Sequence, residues 1–260
     1  MKRKMMFLIV AILTLLLATQ AYADKIGIDN FNTADQDLCF PTTSGCADAV
    51  ANSTVAYASA IGGYRDMAIV RTGGEGDVTA ETGYNSDLAV YTQPTLTFGT
   101  WEIIWDGDAV SGNLNHTGLG GIDLTDGGLN TAVYFGNIYN DLPFTLRVEF
   151  FTDSNNWSYI DYAQPSAPAG QPAVIPYLDF SIGSGSGADP ANIGAIRLFV
   201  DGSAISSLDV ALDFVTADDD TPTAVNLQTF SAGNNTSSLP LIGISLLAVL
   251  ALVSTGVFIT

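Results

Sequence analysis

Short runs in which apolar and polar residues alternate with a period of two constrain this chain more than any other feature. In Phe144-Thr145-Leu146-Arg147-Val148-Glu149-Phe150 every second residue is apolar. Successive side chains of an extended strand point to opposite faces. Leu146, Val148 and Phe150 therefore share one face, and Arg147 and Glu149 the other. Leu208, Val210, Leu212 and Phe214 likewise oppose Asp209 and Asp213, and Trp101-Glu102-Ile103-Ile104-Trp105 and Ile196-Arg197-Leu198-Phe199-Val200 read the same way. No long stretch shows capped helical spacing. Such a chain folds into sheets with one buried and one solvated face.

Weaker strand signals fall at 26–31, 54–60, 65–71, 77–81, 87–92, 131–139, 157–162 and 177–182, divided by segments rich in Gly, Ser, Pro and Asn. The stretches Asp106 to Gly120, Gln164 to Pro176 and Gly183 to Asn192 read as loops. The predicted fold class is all-β, a two-layer antiparallel jelly-roll β-sandwich over residues 24–230, with a signal helix before it and a hydrophobic helix after it. One domain of this length suits a single sandwich.

Residues 1–23 open with Lys2, Arg3 and Lys4, continue through an apolar run and close on Ala21-Tyr22-Ala23, the layout of a secretory signal peptide cut before Asp24. Residues 231–238 form a small, polar spacer, and 239–260 carry no charge. As a helix that tail would reach about 33 Å, enough for a hydrocarbon core of about 30 Å. A plain transmembrane helix, a GPI signal and a sorting tail all fit this layout. The expectation is an exported domain, extracellular or at the cell surface, with membrane contact through the tail.

The sequence holds 27 Asp+Glu against 8 Lys+Arg. Without residues 1–23, only Lys25, Arg65, Arg71, Arg147 and Arg197 remain as cations, for a formal charge of −22. Such a surface repels nucleic acid. It invites divalent cations or cationic partners. Cys39 and Cys46, the only cysteines, are expected to close a small disulfide loop in an oxidising compartment; a redox or metal pair would need further Cys or His.

His116 is the only histidine and sits in a Gly- and Asn-rich loop, where it reads as exposed and incidental. The sequence has no G-x-S-x-G, P-loop or H-E-x-x-H pattern. Glutamates number only Glu75, Glu81, Glu102 and Glu149, a poor supply for a glycosidase pair. A non-enzymatic protein is therefore expected. Trp101 and Trp105 share a strand face with Ile103 and read as core. Trp157, Tyr159 and Tyr162, flanked by Asn155, Asn156 and Asp161, form a polar aromatic cluster able to stack on sugar rings.

Ile28-Asp29-Asn30-Phe31-Asn32 and the closing segments Asn192 to Leu198 and Leu212-Asp213-Phe214 resemble the first and last strands of jelly-roll modules similar to carbohydrate-binding modules. Gly62 to Asp66, Trp105-Asp106-Gly107 and Gly121 to Thr125 are similar to segments of exported bacterial surface proteins. Leu239-Pro240-Leu241-Ile242-Gly243 resembles the sorting tails of such proteins, with Ile242 where the sortase motif has Thr. The resemblance implies a structural Ca2+ held by Asp213 and Asp29. Asp106 and Asp108, at a strand end and in a Gly-containing turn, are further oxygen-ligand candidates. The leading expectation is a structural or adhesive surface protein contacting glycans or other surface and matrix proteins. The alternatives are a carbohydrate-binding module and, further off, a small secreted hydrolase.

Overall fold

The computed structural model describes residues 24–32, 36–41, 51–84, 87–110 and 113–219. The expected signal peptide, spacer and tail, and Cys46, lie outside these residues. No free cysteine occurs among the described ones, and none of their helices is long and apolar enough to cross a membrane. In chain order the strands are β1 (Ile26–Asp29), β2 (Gln36–Phe40), β3 (Asn52–Ala56), β4 (Tyr64–Gly73), β5 (Val78–Tyr84), β6 (Leu88–Thr92), β7 (Phe98–Trp105), β8 (Ala132–Asn140), β9 (Phe144–Phe151), β10 (Trp157–Gln164), β11 (Ala167–Pro176), β12 (Ser181–Ser184), β13 (Ala195–Gly202), β14 (Asp209–Leu212) and β15 (Val215–Asp218).

Two antiparallel sheets make the jelly-roll sandwich. The seven-stranded sheet has the order β12-β10-β9-β13-β7-β4-β3. In the eight-stranded sheet, β14 and β15 follow one another along one edge of β8, while β11 pairs with the other edge. β1 flanks β15, and β6, β5 and β2 continue from β14. The alternating residues point where their period sends them. Leu146, Val148 and Phe150 are at most 2% exposed, as are Trp101, Ile103 and Trp105.

Several segments depart from the sequence pattern: β2 lies where no strand is expected, the expected strand 177–182 opens with a 3-10 turn over Tyr177–Asp179, and two further departures have a local reason. Residues 164–176, expected as a loop, contain β11. Pro168, Pro172 and Pro176 fit there because a strand at the sheet edge needs ladder N–H groups on only one side, and its register with β8 is irregular around Gln171. The run 208–214 breaks at Asp213-Phe214, shifting the alternation by one. Val215 and Ala217, not Phe214, then continue the buried row of Leu208, Val210 and Leu212. The Phe214 ring instead occupies the space that a Cβ on Gly136 would need.

A polar knot ties the two sheets together in the interior. Arg65 on β4 is fully buried. Its Nη1 donates to both carboxylate oxygens of Asp29 at 3.1 Å, its Nη2 to Thr82 Oγ1 at 2.9 Å and its Nε to Gln36 Oε1 at 2.7 Å. Asp29 also accepts from Trp105 Nε1 at 2.8 Å and from the Phe31 amide at 2.9 Å. The knot thus joins β1, β2 and β5 of one sheet to β4 and β7 of the other.

Candidate functional site

The outward side of the seven-stranded sheet carries the chemistry, and the strand register builds it. Tyr159, Glu149, Arg197, Ile104, Asp66 and Thr54 stand in one row across β10, β9, β13, β7, β4 and β3. The next row begins Asp161, Arg147, Phe199 and Glu102. Paired residues on neighbouring strands lie close enough for their side chains to interact.

One end of this face is aromatic. Trp157 stacks on Phe151 with ring centroids 5.7 Å apart and planes 26° from parallel, and it meets Tyr159 at 5.8 Å. Behind it, the six-membered ring of the Trp157 indole fills the space that a Gly183 Cβ would take. His116 meets Phe151 edge-on at 5.0 Å. It is thus half-buried against the platform rather than an incidental loop residue, a contact the loop sequence gives no sign of. Tyr162 does not join Trp157 and Tyr159. It is an odd number of positions from both, so β10 turns it inward, where it packs against the core.

Next to the aromatics lies a run of paired charges. Arg147 Nε and Nη2 donate to the two oxygens of Asp161 at 2.6 and 2.8 Å, and the guanidinium sits 4.9 Å from the Tyr159 ring centroid. That hydrogen bonding holds the Asp161 carboxyl below the usual carboxylate range. Glu149, almost fully buried, accepts from Arg197 Nε at 2.6 Å, and Arg197 reaches Glu102 at 3.4 Å. Burial pushes the Glu102 carboxyl up, against the pull of Arg197. A hollow of about 310 Å³ opens among Thr145, Arg147, Asp161, Phe199 and Asp201. At the opposite end, a cavity of about 360 Å³ is lined by Asp66, Glu102, Arg197 and Leu114 among others. Sequence reasoning passed over Arg147, Glu149, Arg197, Glu102 and Asp66 as sites. Their outward parity on predicted strands was the available signal.

The structure places the aspartates expected to hold calcium in three different settings. Asp29 faces the interior, where the Arg65 guanidinium supplies its counter-charge. Asp213, in the break between β14 and β15, accepts from Asn137 Nδ2 at 3.3 Å. Asp106 is buried and accepts from the Asp108 and Asn115 amides, and Asp108 accepts from Asn115 Nδ2. The Asp106 bonds close their loop in the way Asp does with nearby backbone. Among the described residues no group of three or more His, Cys, Asp or Glu is placed to hold a metal ion.

No family model and no curated protein matches the chain. Solved structures similar to it include a family 11 carbohydrate-binding module from Clostridium thermocellum, in complex with a β-1,3-1,4-mixed-linked tetrasaccharide. It shares 12% identity over 76% of this chain and 98% of its own, at a TM-score of 0.38. A family 30 carbohydrate-binding module of a cellulosomal cellulase from the same organism shares 13% identity over 76% of this chain and all of its own, at a TM-score of 0.37. Both are, like this chain, β-sandwiches.

Proposed function

We propose that the domain is a non-catalytic carbohydrate-binding module that works through the outward face of its seven-stranded sheet. The observation that carries this reading is the half-exposed Trp157–Tyr159 pair set directly beside the Arg147–Asp161 fork. An aromatic ring offers a flat apolar surface with a negative face, which suits the C–H face of a pyranose. An ionised carboxylate accepts from sugar hydroxyls, and a guanidinium donates to their oxygens. Arg147 and Asp161 hold each other in place, so neither needs ordering when a ligand arrives.

The chain fits an exported setting, with the signal peptide at 1–23, a Cys39–Cys46 disulfide and a membrane-directed tail at 239–260. In this reading the glycan is the partner, and adhesion follows from glycan binding rather than replacing it. The test is a glycan array with the full chain, repeated with Trp157→Ala. We expect hits that weaken tenfold or more, about 1.4 kcal/mol, while the melting temperature is retained. A blank array, or hits indifferent to Trp157→Ala, rejects the reading.

A further inference from the structure

Asp66 is 3% exposed, and neither of its carboxylate oxygens has a hydrogen-bond partner. The Thr54 hydroxyl directly across the strand pair favours the charged Asp66 carboxyl, yet it too falls short of full hydrogen-bond geometry. Asp66 lines the cavity of about 360 Å³, and its carboxylate lacks a counter-charge. A buried charge in this condition is costly. The neighbouring cations of the chain are committed elsewhere. Arg65, next in sequence, points inward to Asp29, and Arg197 is shared between Glu149 and Glu102. Further off, Lys25 pairs with Asp218, Arg147 with Asp161, and Arg71 donates to the Gly76 carbonyl. A divalent ion needs several oxygen ligands, and among the described residues no three acidic or imidazole groups are placed to hold one ion together.

We propose that this cavity is a second binding site, which takes the primary ammonium of an amino sugar on Asp66. An ammonium carries three donors and no acceptor, matching two carboxylate oxygens and a hydroxyl. Around Arg197 three carboxylates, Asp66, Glu102 and Glu149, outnumber one guanidinium, so a cation is welcome despite it. Asp106 and Asp108 add to the negative potential at Asp66. Burial and these neighbours raise the Asp66 carboxyl to about 6, the behaviour of a group short of a counter-charge. The cavity falls in the size range of small-molecule sites, ~300–1,000 Å³. Asp66 shares its row with Tyr159 four strands away, about 19 Å at ~4.8 Å per strand. One oligosaccharide crossing the strands can therefore stack at one end and place an amine at the other. The choice of an amino sugar over a lysine side chain rests on the glycan-binding reading.

The experiment titrates the full chain at pH 7 and physiological salt with β-1,4-linked tetramers of glucosamine, N-acetylglucosamine and glucose. The glucosamine tetramer should bind at least tenfold tighter than the other two. The strongly acidic chain attracts any polyamine, so the informative quantity is what Asp66→Asn removes. That variant should erase the preference, bringing the glucosamine tetramer to within about twofold of the glucose tetramer. Ala68→Leu, which fills the cavity without touching a charge, provides a second route to the same loss. Trp157→Ala should weaken all three tetramers while keeping the preference. Equal affinities, or a preference that survives both Asp66→Asn and Ala68→Leu, overturn the inference alone. No binding by any tetramer removes it together with the glycan-binding reading. Tighter binding of Nα-acetyl-lysine amide, which keeps its ε-ammonium, than of glucosamine at Asp66 assigns the site to a protein side chain and overturns it as well.

Discussion

Asp29 and Asp66 are both buried aspartates, 2% and 3% exposed, and the molecule treats them in opposite ways. Asp29 accepts from a guanidinium, an indole N–H and a backbone amide. Asp66 has no partner at full hydrogen-bond geometry among the described residues, only the Thr54 hydroxyl across the strand pair. The difference arises from one step along β4. Arg65 and Asp66 are neighbours in sequence, so the strand sends one inward and the other outward, and the guanidinium completes Asp29 rather than Asp66. The Asp29 arrangement holds two sheets in one geometry. The Asp66 arrangement stabilises nothing that the structure shows, and so it is better explained by something that binds there.

Breaking the satisfied centre should have the largest effect. Arg65→Met leaves Asp29 buried and uncompensated, a change that costs about 3–5 kcal/mol. In a domain of this size that corresponds to a fall in melting temperature of roughly 10 °C or more, readable by calorimetry. A loss of a degree or two would mean that the knot is dispensable.

At Asp66 the sign reverses, and the effect depends on pH. The folded state holds the Asp66 proton up to about pH 6, above the ordinary value of 3.8. Between these values the folded state binds more protons than the unfolded state, so stability falls as pH rises. Asp66→Asn escapes this fall. Its melting temperature should match the parent near pH 3.5, exceed it increasingly through pH 6, and level off above. Parallel curves for the two proteins would show that Asp66 has another partner.

The contrast between the two aspartates also marks how far the sequence is legible. The alternation in 144–150 and 101–105 places every core residue of β9 and β7 correctly, because period two is set by backbone geometry alone. It fails at Phe214, where an irregularity shifts the phase, and at 164–176, where prolines that read as loop sit on an edge strand. The same rule, applied to 157–162, separates Tyr162 from Trp157 and Tyr159. What the sequence does not show is pairing across strands. That Arg65 meets Asp29 while Asp66 is left facing Thr54 without a counter-charge depends on which strands become neighbours, as does the row from Tyr159 to Asp66. Of the aspartates proposed for calcium, Asp106 and Asp108 rest on local turn position and make local bonds within their loop, whereas Asp29 and Asp213 rest on the resemblance, and their bonds to Arg65 and Asn137 come from strands far away in sequence.

The smallest effect on stability belongs to a third acidic group, which sharpens the comparison because it is paired yet exposed. Asp161 and Arg147 are 44% and 40% exposed, and an exposed pair contributes about 0.2–1 kcal/mol. Asp161→Asn should therefore lower the melting temperature by only a degree or two at pH 7. Because Arg147 holds the Asp161 carboxyl below its ordinary value, the pair's contribution is present above that ordinary value and fades as pH falls through the lowered one. The deficit of the variant should vanish in strong acid. Glycan affinity should respond more than stability does, since an Arg147 released from its fork is free to leave the Tyr159 ring and the hollow beside it. A variant that loses stability but keeps affinity would place Asp161 with Asp29, as a structural acid, and remove it from the binding face.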